Sequence, residues 1–111
     1  MVSVQQIGSV AVIRLQSALL GEGLKRCKLS FEDCLAKRQS QVILDLTESP
    51  LINSEGLEFV VESQEKCLSR GGQLVLCKPQ ELCQTILEIT GLDGRVGIYP
   101  DTRSALSEFA R

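Results

Sequence analysis

Short runs of β-branched and apolar residues alternate along this chain with segments in which apolar residues recur every three or four positions. The strand-like runs cover 2–7, 10–15, 41–46, 73–77 and 95–99. Helical periodicity covers part of 16–40, about 55–69, the residues after Pro79 and the residues after Asp101. Such alternation favours right-handed crossovers and a largely parallel or mixed sheet covered by helices. The pattern predicts an α/β fold in the order β β α β α β α β α.

Glycines and continuous apolar runs refine this prediction. Only Gly8 and Ser9 separate the first two strands, which indicates an antiparallel hairpin. The runs 41–46 and 73–77 are apolar enough to be buried on both faces of a sheet. Gly71-Gly72 and Gly91 follow helical segments, where glycine typically ends a helix.

Each predicted helix carries an apolar stripe, and Pro79 is expected in the first turn of the third helix. Pro100 and Asp101 are expected to cap the last helix. The stripe residues are Leu24, Cys27, Phe31, Cys34, Leu35, Leu57, Val60, Val61, Cys67, Leu68, Leu82, Cys83, Ile86, Leu87, Ile89, Ala105, Leu106 and Phe109.

The composition excludes several classes of function. A chain of 111 residues predicts one domain, 1–111. The absence of histidine excludes Ser-His-Asp and Cys-His catalysis and any His-ligated metal within the chain. The five cysteines, without a Cys-x-x-Cys spacing, are expected to be buried free thiols. A net charge of −2 argues against nucleic-acid binding. No signal peptide or membrane-length apolar run is evident, so we expect a cytoplasmic protein without a membrane span.

The segment Thr47–Leu57 stands out as a candidate functional site. It leaves the carboxyl end of a central strand and enters a helix, a place where open α/β sheets hold functional groups. A helix start offers unpaired N–H groups and a positive dipole end, which together stabilise a phosphate. Asp45 is expected to cap the turn after the strand.

The stretch VILDLTESPLINSEGLEFVV resembles the signature of the STAS domain, the fold of anti-sigma factor antagonists. The residues Gly71–Leu76, Ile89–Leu92 and the last helix resemble further landmarks of that family. The resemblance covers roughly 40–109, and plausibly 2–15. It implies a single STAS-like domain with a central mixed sheet of about five strands and helices packed mainly on one face.

In phosphorylated members of that family a partner kinase modifies the serine that follows an aspartate, and the matching position here is Ser54. Asn53 stands in place of the aspartate, and Glu55 in place of a second hydroxyl residue. Gly56 matches, and we expect it to permit a close approach of the helix start to the sheet or to a partner. The resemblance implies a partner-binding surface at Asn53, Ser54, Glu55, Gly56 and Glu58. The alternative for Ser54 is an ordinary N-cap or first-turn serine.

The resemblance implies a non-enzymatic regulator in a partner-switching pathway, without a cofactor or metal. Its expected partners are an anti-sigma factor or a serine kinase of the histidine-kinase-like ATPase type, and a phosphatase of the PP2C type. The alternative is a STAS-like scaffold or transporter-complex subunit without a phospho-switch, which Asn53 and Glu55 favour.

Overall fold

A computed structural model describes residues 1–110 as a five-stranded sheet with four helices. The strands are β1 (Val2–Ile7), β2 (Val10–Leu15), β3 (Gln41–Asp45), β4 (Gln73–Cys77) and β5 (Gly97–Tyr99). The helices are α1 (Gly21–Ala36), α2 (Ser54–Leu68), α3 (Glu81–Ile89) and α4 (Thr102–Phe109), with a 3-10 turn at Leu92–Gly94.

The sheet has the order β1-β2-β3-β4-β5. Strands β1 and β2 form the predicted antiparallel hairpin around Gly8, whose positive φ of 59° suits glycine. The remaining neighbours pair in parallel, so the sheet is mixed and the predicted fold class is confirmed.

The central strands are buried on both faces, as their apolar runs predicted. Val42 and Leu44 of β3 lie in a core with helices α1, α2 and α3. Ile43 points to the opposite face, where Ala105 of α4 packs on it in a smaller core. Three helices therefore cover one face and the last helix covers part of the other. This agrees with helices packed mainly on one face.

Glycine ends two helices, as predicted. Gly71 follows α2 with a φ of +79°, and Gly91 follows α3 with a φ of +76°. Leu92, after the second of these glycines, is buried. These left-handed positions end each helix and redirect the chain, so that β4 begins two residues after Gly71 and the 3-10 turn directly after Gly91.

The prediction that the stripe residues face the core is wrong for Leu68, Leu82 and Ile89, which are 56%, 54% and 79% exposed. Helix α2 instead buries Phe59, and with it the polar side chains of Ser63 and Gln64, against the sheet. The direction of each helix face depends on where the sheet lies, which apolar spacing alone does not fix.

Several predicted boundaries also differ from the structure: β3 ends at Asp45 instead of residue 46, and larger differences occur at α3 and β5. Pro79 precedes α3 instead of entering its first turn, because the helix begins at Glu81 after Gln80. Strand β5 begins at Gly97, not at residue 95, because Arg95 and Val96 close the 3-10 turn through hydrogen bonds to the Leu92 carbonyl.

The prediction that the five cysteines are buried free thiols is confirmed. Desolvation raises the pKa of Cys27 to about 12 and that of Cys67 to about 11. It also raises the pKa of Cys77 to about 11, and those of Cys34 and Cys83. Such thiols remain protonated near neutral pH and are poor nucleophiles.

Candidate functional site

The loop that joins β3 to α2 is held by the elements on either side of it. Next to β2, the N–H of Leu19 donates to the Leu51 carbonyl over 2.8 Å, and Leu19 forms a parallel bridge with Ile52. Next to α3, the Gln80 side chain donates to the Thr47 carbonyl over 2.9 Å. The loop is therefore positioned by tertiary contacts and presents its surface residues from a fixed backbone.

A charged cluster lies at the start of the loop. The Asp45 carboxylate accepts hydrogen bonds from the backbone N–H of Thr47, over 2.9 Å, and from the Thr47 hydroxyl. The predicted capping role of Asp45 is thus confirmed. Arg14, its register partner on β2, places Nε 3.6 Å from Asp45 Oδ2 and 3.5 Å from Glu48 Oε2. The cluster anchors the loop to the neighbouring strand.

Arg14 is a member of this cluster that the sequence analysis missed. Its side chain is 43% exposed, which leaves solvent to screen the two ion pairs. The only signal for Arg14 in the sequence was its position as a charged residue within a strand of β-branched residues. Its partner becomes evident only from the parallel register of β2 and β3.

Asn53, not Ser54, caps α2. The Asn53 Oδ1 accepts a hydrogen bond from the Gly56 N–H over 2.9 Å, and Asn53 has the extended backbone of an N-cap. Ser54 is the first residue of the helix and is exposed. Of the two ordinary roles left open for Ser54, the structure therefore selects the first-turn serine and leaves its hydroxyl on the surface.

Gly56 permits a close approach, as predicted, but the approach is to the loop after β2 and not to the strands of the sheet or to a partner. A Cβ at this position would overlap the Leu19 carbonyl oxygen and lie 2.8 Å from Cγ1 of Ile52. Gly56 is buried. It therefore shapes the helix start from within and presents no side chain to a partner.

A surface groove of about 420 Å³ begins at Ser54 and runs along α2. Leu57 and Val61 lie along its apolar part, and Glu58 and Glu62 lie along its acidic part. Arg95 and Leu92 line it from the segment after α3. Of the predicted partner-binding residues, the structure brings Ser54 and Glu58 together in this groove, with Glu55 exposed beside them.

The electrostatics of the helix start have two opposing parts. The unpaired N–H groups and dipole of α2 favour an anion near Ser54. Glu55 and Glu58 are exposed and disfavour one. Each contribution is modest because water screens it.

Residues 1–110 contain neither a candidate metal site nor a candidate membrane span. No group of three or more Cys, Asp or Glu side chains there is arranged to hold a metal ion. Within the same residues, no helix combines the length and apolarity that crossing a membrane requires.

A family model and a relative of known name place this chain in the same family. The STAS domain family model matches residues 1–105. A Thermotoga neapolitana protein named as an anti-sigma factor antagonist homolog is 33% identical over 81 residues, which are 73% of this chain and 72% of that protein.

Solved structures agree on the fold. A Thermotoga maritima crystal structure titled as an anti-sigma factor antagonist superposes with a TM-score of 0.92 at 26% identity, covering 99% of this chain and 95% of that one. The Bacillus protein SpoIIAA in its phosphorylated form gives a TM-score of 0.75 over 98% of this chain and 99% of that one. At 13% identity, the second likeness concerns the fold alone.

Proposed function

The chain is a member of the STAS domain family, and from that membership we propose that it acts as an anti-sigma factor antagonist controlled by reversible phosphorylation of Ser54. In this proposal the unmodified protein binds an anti-sigma factor or a serine kinase of the histidine-kinase-like ATPase type. Phosphorylation releases the partner, and a phosphatase of the PP2C type restores the serine. The protein itself contributes a binding surface and no catalysis.

The observation that carries this proposal is the exposed hydroxyl of Ser54 at a capped helix start. Since Asn53 supplies the capping oxygen, Ser54 is not needed to begin the helix. A kinase can therefore modify the hydroxyl without removing a hydrogen bond that the fold requires. The loop contacts through Leu19 and Gln80 hold the segment that leads to the serine.

The proposed reaction transfers the terminal phosphoryl group of ATP to Oγ of Ser54. The bond from that oxygen to phosphorus forms, the hydroxyl proton is lost, and ADP leaves. The phosphatase reverses the change with water and releases inorganic phosphate. Because the domain provides the acceptor oxygen alone, the catalytic groups for both steps belong to the partner enzymes.

Release follows from charge and desolvation. A phosphate adds about −1.5 to −2 charges at a surface where Glu55 and Glu58 are already negative. An interface built to bury a neutral hydroxyl would have to bury this dianion, which is unfavourable without a matching cation. The stability of the domain itself changes little, since the N–H groups at the helix start stabilise the phosphate.

Within the proposed interface the five predicted residues divide into two roles. Ser54, Glu55 and Glu58 are exposed and supply side-chain contacts. Asn53 and Gly56 are half-buried and buried, and they hold the helix start in position. Substitutions in the first group should change binding, whereas substitutions in the second group should change the fold.

Glu55 favours one alternative function, a STAS-like scaffold or transporter-complex subunit without a phospho-switch. This exposed carboxylate follows Ser54 directly and imposes a permanent negative charge on the surface. A partner adapted to that charge could bind constitutively. In that case a phosphate on Ser54 would not occur in cells.

Native co-purification followed by intact-mass measurement tests the two functions together. The switch predicts a fraction of the chain heavier by one phosphoryl group, absent from Ser54→Ala, and an anti-sigma factor or kinase that co-purifies with the lighter form. Thr102→Ala is the matched control, because Thr102 is the first residue of α4 behind another capping side chain. If the wild-type chain carries no phosphoryl group, and wild type and Ser54→Ala recover the same amount of partner, the result would favour the scaffold.

A further inference from the structure

The two edges of the sheet are protected to very different degrees. The β5 edge has three residues, all partly buried, and Pro100 follows it without a backbone N–H to offer. The β1 edge has six residues, of which Ser3, Val4, Gln5 and Gln6 are exposed. An exposed edge strand of this length is a template for pairing with another strand.

The register of the hairpin shows which backbone groups of β1 are free. Ile7 pairs with Val10 across the two-residue turn, and the Gln16 N–H donates to the Met1 carbonyl over 2.8 Å at the other end. In an antiparallel pair, hydrogen-bonded positions alternate. The odd-numbered residues of β1 therefore bond to β2, and the N–H and C=O groups of Val2, Val4 and Gln6 point outward.

Strand β1 carries none of the features that usually prevent pairing. Its sequence, VSVQQI, has no charge and no proline. Each of its residues pairs with one residue of β2, so it contains no bulge. Val4 lies at its middle and is 47% exposed. Natural edge strands that must stay single typically carry a lysine, a proline or a bulge at such a position.

We propose that β1 pairs in antiparallel fashion with β1 of a second copy of this chain, about a two-fold axis at Val4. This register places Val4 opposite Val4, and Val2 opposite Gln6 of the second copy. All the outward backbone groups of the three residues then find partners. Ser3 lies opposite Gln5 of the second copy, so no charged side chains meet across the axis.

The occupant is a second copy because the strand complements itself. A two-fold axis requires one surface to match its own image, and this strand offers uncharged polar and β-branched residues in both directions. The resulting sheet has ten strands. Ser54 follows β3, two strands away from this edge, so both Ser54 surfaces of the dimer remain open.

Solution mass over about a hundredfold range of concentration is the first test. The wild-type protein should approach twice its 12.2 kDa mass as concentration rises. Val4→Lys should remain at the monomer mass with unchanged circular dichroism. Leu29→Lys, which places the same charge at an exposed apolar site of α1, should behave as wild type. A wild-type protein that stays at the monomer mass over the whole concentration range would overturn the proposal. The β1 edge would then be free for a strand of another protein.

Cysteine cross-linking tests the register, and the five buried native thiols leave an introduced cysteine as the accessible one. Paired Val4 positions would bring their Cα atoms to about 5.5 Å, which a disulfide can span. Val4→Cys should therefore cross-link with itself under mild oxidation. Val2→Cys should cross-link efficiently with Gln6→Cys in a mixture, and less efficiently with itself. Cross-linking no faster than that of Leu29→Cys would contradict the pairing.

Discussion

Helices α2 and α4 begin in the same way. At each start an Asn or Asp side-chain oxygen accepts a hydrogen bond from the backbone N–H three residues on. The distances are 2.9 Å from Asn53 to Gly56 and 2.7 Å from Asp101 to Ser104. Each cap is followed by a hydroxyl residue, Ser54 or Thr102. The two starts therefore share one local geometry on opposite faces of the sheet.

They differ in charge. Hydrogen bonds from Ser104 lower the pKa of Asp101, so a carboxylate already occupies the positive end of α4. Asn53 gives the same geometry with a neutral amide, and the acid at the start of α2 is Glu55, in the first turn, whereas the first turn of α4 holds no acid. Replacing an acid by Asn therefore preserves the cap, while the negative charge at the start of α2 moves from the capping residue to Glu55, beside Ser54.

The largest difference expected between the two starts is in packing. Gly56→Val should destabilise the protein by about 3 kcal/mol or more, because its side chain would overlap the Leu19 carbonyl. Ser104→Val, at the equivalent half-buried position of α4, should cost less than about 1 kcal/mol. Urea unfolding of both variants measures this. Similar losses at the two sites would show that the Leu19 contact does not constrain α2.

The second difference should appear in binding. Ser54→Asp is expected to weaken binding to the co-purified partner by about 2–3 kcal/mol, because an unpaired charge enters the interface. Ser54→Ala should bind as wild type does, and Thr102→Asp should leave affinity unchanged. Isothermal titration with the purified partner provides the comparison.

Stability should move little in the Ser54→Asp protein, since an acid at a helix start is favourable by about 0.3–1 kcal/mol. A fall in affinity that matched a fall in stability would indicate damage to the fold. Wild-type affinity in Ser54→Asp, with no phosphate found on Ser54 in cells, would favour the constitutive scaffold.

A smaller effect is expected from removing the neutral cap. Asn53→Ala should cost about 1 kcal/mol, because the Gly56 N–H loses its acceptor. Asn53→Ser should restore most of this loss, since serine is also a good cap. Thermal unfolding at one pH distinguishes the three proteins. Stability unchanged in Asn53→Ala would mean that tertiary contacts alone position the helix start.

The smallest expected effect is the pH dependence that separates the caps. The pKa of Asp101 lies below its ordinary value of 3.8, so its stabilising contribution is present above that value. The contribution is lost as the pH falls through the lower folded-state pKa. Asp101→Asn should therefore differ more from wild type at about pH 7 than at about pH 3.

Asn53→Asp provides the reciprocal test, because it introduces a carboxylate where α2 has an amide. The stability of Asn53→Asp relative to wild type should increase as the pH rises from about 3 to about 7, because the new carboxyl group becomes ionised. Urea unfolding at both pH values measures the two differences. A difference that is the same at both pH values would show that charge at the cap contributes nothing.

Much of the fold could be predicted from the sequence because the relevant signals are local. The observed β1, β2 and β4 have the predicted bounds, and β3 differs by one residue. Gly71 and Gly91 mark helix ends because only glycine enters the left-handed region without strain. The alternation of strand and helix then restricts the chain to a mixed α/β sheet.

The candidate site could be predicted only in part. The residue types at Asn53 and Ser54 indicate a helix start, yet either side chain could cap it. The hydrogen bond to Gly56 decides in favour of Asn53, and thereby frees Ser54. Arg95, which lies 41 positions beyond Ser54, enters the groove through the segment after α3, and no local pattern points to it.

The sequence by itself determined the elements, their order and the glycine ends, because each depends on residues within one or two turns of each other. The tertiary structure decided which side chains are buried and which groups meet. Gln64 is buried because its side chain accepts a hydrogen bond from the Leu74 N–H, while Leu68, one turn on, faces solvent. Arg14 meets Asp45 because parallel strands align residues 31 positions apart. Which side chains are buried and which charged groups form ion pairs depend on where neighbouring elements lie. Only contacts between residues far apart in the sequence establish those positions.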